Sequence, residues 1–117
     1  MQRRIRRGDI YWANVPYVQN LNMIVCRPAI IVSNDIGNEH SDNVIVVPVT
    51  TQKRHLDLPT NVPIGDRVTR ESSVAVCEQI RVMHKGSLGD YIGHLDRKKM
   101  KAVTDAIKIA IGIKEEN

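Results

Sequence analysis

The sequence predicts a small α+β domain, an SH3-like, partly open antiparallel β-barrel with a C-terminal α-helix packed on it. Three observations carry that expectation. The first two-thirds of the chain breaks into short β-branched runs separated by turn residues. Two of these runs, Pro28–Ser33 (PAIIVS) and Val44–Val49 (VIVVPV), are continuously apolar, as strands buried on both faces are. The last segment switches to apolar residues three and four apart, the period of a helix.

Taken in order, Asp9–Val15 alternates Ile10, Trp12 and Val15 against Tyr11, Ala13 and Asn14, a pattern that assigns Trp12 to the core. Pro28–Ser33 follows, and Asn34–Asn38 (NDIGN) reads as a turn by composition. Within Val44–Val49, Pro48 has no backbone donor and marks an edge or a bulge. Thr60–Ile64 and Ser73–Arg81 (SVAVCEQIR) are further strands, joined by the polar GDRVTRE. From Asp96 onward Met100, Val103, Ile107, Ala110 and Ile111 recur at helical spacing, and Asp96 is placed to cap that helix. No repeat or linker divides the chain, so residues 1–117 read as one domain, with residues 1–7 a flexible basic arm.

Composition narrows the class. With 42% apolar and 26% charged residues the chain has the balance of an ordinary globule. It lacks the run of roughly 18 apolar residues that spans a bilayer. The basic N-terminus MQRRIRRGDIYW is followed by no apolar stretch, so the expectation is a cytoplasmic protein without a secretory signal. Cys26 and Cys77 are far apart and flanked by apolar residues, and both read as small buried hydrophobes. A net charge of +4 and a pI near 9.3 suit an anionic partner. Arg3, Arg4, Arg6 and Arg7 are the densest basic cluster and serve equally as a solvated terminus.

The residues available for chemistry are few. His40, His55, His84 and His94 share no HExxH or Cys/His ligand spacing, so no metal and no cofactor is expected. A phosphate-binding glycine loop and a GxSxG elbow are both absent from the sequence. Two constellations remain, read as lying at strand ends: Arg27-Pro28 before the run AIIV, and Thr50-Thr51-Gln52 after VIVVPV. An arginine fork matches a phosphate, and a threonine hydroxyl can donate to the same group. The same residues also fit an arginine paired with Asp35 and ordinary turn threonines. The fold alone does not choose, because such barrels host many functions.

A resemblance bears on that choice. RGDIYWANV, RPAIIVSND with a following IGN, an apolar strand ending in VTTQ, LPTNVPI, SSVAVCEQIRV, and HLD before a helix occur in this order across residues 7–113. Together they resemble the MazF/PemK toxins of type II toxin–antitoxin systems, most of all those of Gram-positive bacteria. The resemblance implies a homodimer that is a sequence-specific, metal-independent endoribonuclease cutting single-stranded RNA, an mRNA interferase. It also implies a cognate MazE-like antitoxin whose disordered tail occupies the RNA groove. Carried over by motif, the catalytic residues are Arg27 and Thr50, and the RNA-lining residues are Asn34, Leu58, Ser73, Glu78, Gln79 and Arg81.

In such a site the 2′-OH attacks the adjacent phosphate, leaving a 2′,3′-cyclic phosphate and a 5′-OH. Arg27 and Thr50 would stabilise charge on the pentavalent phosphate, with the general base unassigned. Ser73, Glu78 and Gln79 would read the edges of unpaired bases. Two other readings share the fold: a CcdB-like DNA gyrase poison, a class without the RP and VT pair, and an inactive member that only binds nucleic acid or antitoxin. One segment departs from the pattern. Relatives usually lead into RP with a glycine-rich stretch bearing a polar residue, whereas residues 19–26 read QNLNMIVC. That implies an altered cut site, a stiffer loop extending the strand, or a surface for another partner.

Overall fold

The computed structural model describes residues 3–52 and 57–113. Seven antiparallel strands form an open sheet: β1 (Asp9–Pro16), β2 (Ile24–Ile31), β3 (Asn43–Thr50), β4 (Asn61–Gly65), β5 (Ser73–Val76), β6 (Arg81–His84) and β7 (Leu88–His94). A short helix α1 (Asp35–His40) lies between β2 and β3, and α2 (Arg97–Ala110) follows β7. The strands run in the order β4-β5-β3-β2-β1-β7, with β6 also paired to β3. This is the expected α+β architecture.

The centre of the fold is β3, which has one partner along one edge and two along the other. It pairs with β2 from Val46 to Pro48. On its other edge it pairs with β6 from Asn43 to Val46 and with β5 at Val49 and Thr50. Pro48 sits at the changeover, and its orientation explains why. Ile45 turns both backbone groups toward the β2 side, its N–H donating to Ser33 Oγ at 3.0 Å and its carbonyl accepting from Val32 N at 2.9 Å. By the two-residue alternation of a strand, Pro48 therefore faces the β5–β6 side, where it has no N–H to give. The partner chain leaves the ladder opposite it as a 3₁₀ turn, Cys77–Gln79.

Sequence reading placed one strand over Ser73–Arg81; the structure divides it into β5, the turn and the start of β6. Cys77 in the turn points inward, fully buried, with Sγ 3.9 Å from the Val103 carbonyl of α2. Val103 and Ala106 complete the cluster that joins the helix to Ile10, Ile30, Val47, Val49 and Ile64. The helix begins as expected, Asp96 accepting from Lys99 N at 2.8 Å. A second cluster, with Tyr11, Ala13, Val15, Ala29, Ile31, Val44, Val46 and Met83, fills the opposite face.

Other expectations are corrected. Trp12 is 36% exposed rather than in the core. The buried face of β1 is Tyr11, Ala13 and Val15, and the register shifts in the β1–β7 pairing on either side of Tyr11. The NDIGN segment is the start of α1 rather than a turn, with Asn34 as its cap accepting from Gly37 N at 2.8 Å. β7 was not predicted, since LGDYIGH has two glycines and no β-branched run. Cys26 is exposed and Cys77 buried, both free. Finally, β2 begins at Ile24, so the glycine-free stretch extends the strand through Val15↔Val25 and Pro16↔Ile24.

The RGD and HLD motifs find structural roles at the start of the sheet. Gly8 adopts φ of 95°, donates to Ile31 O at 2.7 Å and accepts from Leu95 N at 2.9 Å. A Cβ there would lie 2.8 Å from the His94 ring. Buried Asp9 accepts from Arg6 N at 2.9 Å and meets His94 Nδ1 at 2.8 Å. Arg7 bonds the Val32 carbonyl and Thr104 Oγ1, tying the end of β2 to α2, and its N–H donates to Asp35 Oδ1 at 2.7 Å. Further out, Arg4 pairs with Glu39 at 2.9 Å, and the Arg3 guanidinium lies 3.5 Å above the Tyr91 ring.

The Arg7 N–H is the largest influence holding the Asp35 carboxyl below its ordinary range, with Asn38 adding a second bond against some desolvation. A depressed folded-state pKa stabilises the fold above the unfolded carboxylate pKa, and the contribution is lost as pH falls through the folded one. The stability advantage of the parent over Asp35→Asn should therefore shrink between about pH 7 and about pH 3, read from urea midpoints. A constant difference across that interval contradicts this assignment.

Candidate functional site

At the end of the sheet where β3 finishes, a groove of about 710 Å³ opens between β1, β2, β5 and the 3₁₀ turn. Arg27, Thr50, Glu78, Gln79 and Arg81 all line it. They arrive from four parts of the topology, Glu78 and Gln79 together. Arg27 stands inside β2, paired with Ala13, so it is not at a strand end as the sequence suggested. The pairing continues past it because residues 24–26 are strand rather than loop. Thr50 is the last residue of β3, as expected. Its Oγ1 accepts from Gln52 N at 3.1 Å, which leaves the hydroxyl proton available to a ligand. Glu78 and Gln79 lie in the turn that Pro48 forces out of the ladder.

Arg81 closes the wall between β6 and β1. Its Nη1 donates to Pro16 O at 2.8 Å, while its buried Nε has no acceptor among the described residues. Two guanidinium groups and one carboxylate give the groove a net positive lining, suited to an anion. Asp35 does not pair with Arg27, which removes that alternative; its carboxylate is taken by Arg7 N and Asn38. Among the described residues, no three His, Cys, Asp or Glu side chains gather where they could hold a metal ion.

Three residues of the sequence-derived set lie outside this lining. Asn34 caps α1 beyond the opposite end of β2. Leu58 is exposed in the turn before β4, its carbonyl accepting from Asn61 N at 3.1 Å. Ser73 is fully buried, its hydroxyl donating to Glu71 O at 2.9 Å and lying 3.1 Å from Thr69 Oγ1. Gln52, of the Thr50-Thr51-Gln52 constellation, lines the groove too, and Tyr17 and Asn61 line it without having been singled out. Neither carried a local signal: Tyr17 lies far from Arg27 along the chain and reaches it only through the register of β1 on β2.

The fold and groove together define a small, open antiparallel barrel with a positively lined groove at one end of its sheet. Comparison with known proteins makes the class specific. The model of the PemK-like, MazF-like toxins of type II toxin–antitoxin systems matches residues 6–111, and the chain belongs to that family. Endoribonuclease MazF of Staphylococcus saprophyticus is 38% identical over 111 residues, covering 93% of this chain and 92% of that protein. A mycobacterial endoribonuclease solved with its cognate antitoxin superposes with a TM-score of 0.79 at 28% identity, covering 96% of this chain and 99% of that one. MazF of Deinococcus radiodurans, 15% identical over 95% of this chain and 99% of its own, shares the fold with a TM-score of 0.79.

The two cysteines report on the geometry beside the groove. Cys26 is exposed next to Arg27, whereas burial pushes the Cys77 thiol up to about 11. Iodoacetamide at about pH 8 should add one label to the folded protein, at Cys26, and a second only in denaturant. Two labels on the folded protein would show that the 3₁₀ turn does not seal Cys77.

Proposed function

We propose that this groove binds single-stranded RNA and cleaves it at a short sequence motif, without a metal ion, as the toxin of a toxin–antitoxin pair. The observation that carries the reading is the convergence of Arg27 from β2 and Thr50 from β3 on one positively lined groove. The endoribonuclease name of the Staphylococcus relative supports the reaction class. In this reading the RNA 2′-OH loses its proton to a general base and attacks the neighbouring phosphorus, the P–O5′ bond breaks, O5′ takes up a proton, and the products are a 2′,3′-cyclic phosphate and a 5′-OH. Arg27 lends its fork of donors to the non-bridging oxygens as negative charge builds on the pentavalent phosphate. Thr50 donates its hydroxyl proton to the same group.

Glu78, Gln79 and Arg81 then face the nucleotides on either side of the cut. Glu78 accepts from exocyclic amines, Gln79 does both, and Arg81 donates. Asn34 and Leu58 are the remaining candidates for contacts along a longer strand, whereas Ser73, fully buried with its hydroxyl on Glu71 O, supports the wall from behind. The protein works as a homodimer, and its antitoxin inhibits by laying a chain segment in the groove; the mycobacterial relative solved with its cognate antitoxin supports such a partner.

Purified protein incubated with a long unstructured RNA in EDTA should give discrete cuts whose 5′ ends map to one recurring motif and carry a free hydroxyl. Arg27→Ala should lower cleavage by about 10²–10³-fold, and Thr50→Val should lower it in the same direction. Uncut RNA alongside inhibition of DNA gyrase, or RNA binding without cuts, would overturn the reading. So would near-full cleavage by a folded Arg27→Ala protein.

A further inference from the structure

Arg27 forms no ion pair among the described residues, yet a guanidinium that stabilises a transition state must already be in place when charge develops. The strand register shows what stands over it. Tyr17 follows Pro16 at the end of β1 and continues the alternation of Ala13 and Val15, so its side chain falls on the face that carries Arg27. The Arg27 Cζ lies 5.2 Å from the centroid of the Tyr17 ring, within cation–π range. Both residues line the groove.

The backbone that carries the ring is held by the glycine-free hairpin. Tyr17 N donates to Met23 O at 2.9 Å, and Met23 N to Asn20 O at 2.9 Å. Asn22 N donates to Asn20 Oδ1 at 3.2 Å. One residue back, the Pro16 carbonyl takes the Arg81 bond at 2.8 Å. A flexible loop could not fix an aromatic face against an arginine; this one is pinned on both sides. The other aromatics are committed elsewhere, Tyr11 and Tyr91 packing edge-on at 5.5 Å and Trp12 lying outside the groove lining.

We propose that Tyr17 is a positioning residue for the reaction, its ring holding the Arg27 guanidinium by one face so that the N–H edges stay turned to the scissile phosphate. The ring takes the place of an ion-pair partner, which would compete with the phosphate for those same donors. The hydroxyl plays no part, so the aromatic face is what the site requires.

This inference rests on the role of Arg27 proposed above, and the test separates the two. Cleavage of a short RNA is measured for the parent, Tyr17→Leu, Tyr17→Phe and Arg27→Ala, with thermal midpoints for each. Tyr17→Leu should lower kcat about tenfold with KM within about twofold of the parent, because the arginine is displaced in the transition state more than in binding. Tyr17→Phe should keep at least half the parent kcat, since it restores the ring without the hydroxyl. If Tyr17→Leu lowers the midpoint, Tyr17→Met supplies the same comparison with a more adaptable side chain.

Equal rates for the leucine and phenylalanine variants, or a loss confined to KM, overturn the positioning role while leaving Arg27 intact. Activity retained by Arg27→Ala overturns the underlying reading instead.

Discussion

The missing N–H of Pro48 organises the groove end of this molecule. An uninterrupted β3 would carry one continuous partner from Ser73 to His84, and the end of the sheet would be a flat ladder. With no donor on that side, the partner detours for three residues as the Cys77–Gln79 turn. The detour does two things at once. It buries Cys77 against Val103, fastening the C-terminal helix to the sheet, and it leaves Glu78 and Gln79 on the groove side. Beyond the break, β3 continues only as Val49 and Thr50, so the threonine is delivered to the end of the sheet on a short, well-buried strand.

The opposite wall is built by length rather than by interruption. β1 and β2 stay paired out to Pro16 and Ile24, which places Arg27 inside a strand instead of on a loop. A side chain carried by a paired strand is held more closely than one on a flexible connection. The hairpin that joins the strands presents Val18, Leu21, Met23 and Ile24 to solvent, and Val18 and Leu21 also line the groove. The hairpin is a glycine-free, apolar rim. The arrangement favours a preset site over one that closes around its ligand, because the turn already satisfies its own backbone groups.

How much of this was legible in the sequence depends on where each cause lies. The helix and its cap were readable because Asp96 and the apolar residues that follow act within a few residues of one another. The strands β2 and β3 were readable because burial on both faces leaves continuous apolar runs. The break in Ser73–Arg81 was not, since its cause is a proline on a different strand. Trp12 failed for a related reason: β1 lies between two clusters, and the alternation does not say which face leaves the core first. At the site, Arg27 and Thr50 were found by motif, while Tyr17 needed the register of β1 on β2. Ser73 lay within a matching motif, yet its hydroxyl turns to Glu71 and Thr69, which no one-dimensional pattern records.

The proposed chemistry requires a phosphate between Arg27 and Thr50. The most direct measurement is a crystal structure of the protein with a short single-stranded oligonucleotide carrying its recognition motif and a 2′-deoxy substitution at the cut site, which removes the attacking group. One backbone phosphate should lie within hydrogen-bonding distance of both the Arg27 guanidinium and Thr50 Oγ1. The flanking bases should lie against Glu78, Gln79 and Arg81. An oligonucleotide seated elsewhere, such as along the basic residues Arg97 and Lys101 of α2, with the groove unoccupied, would contradict it.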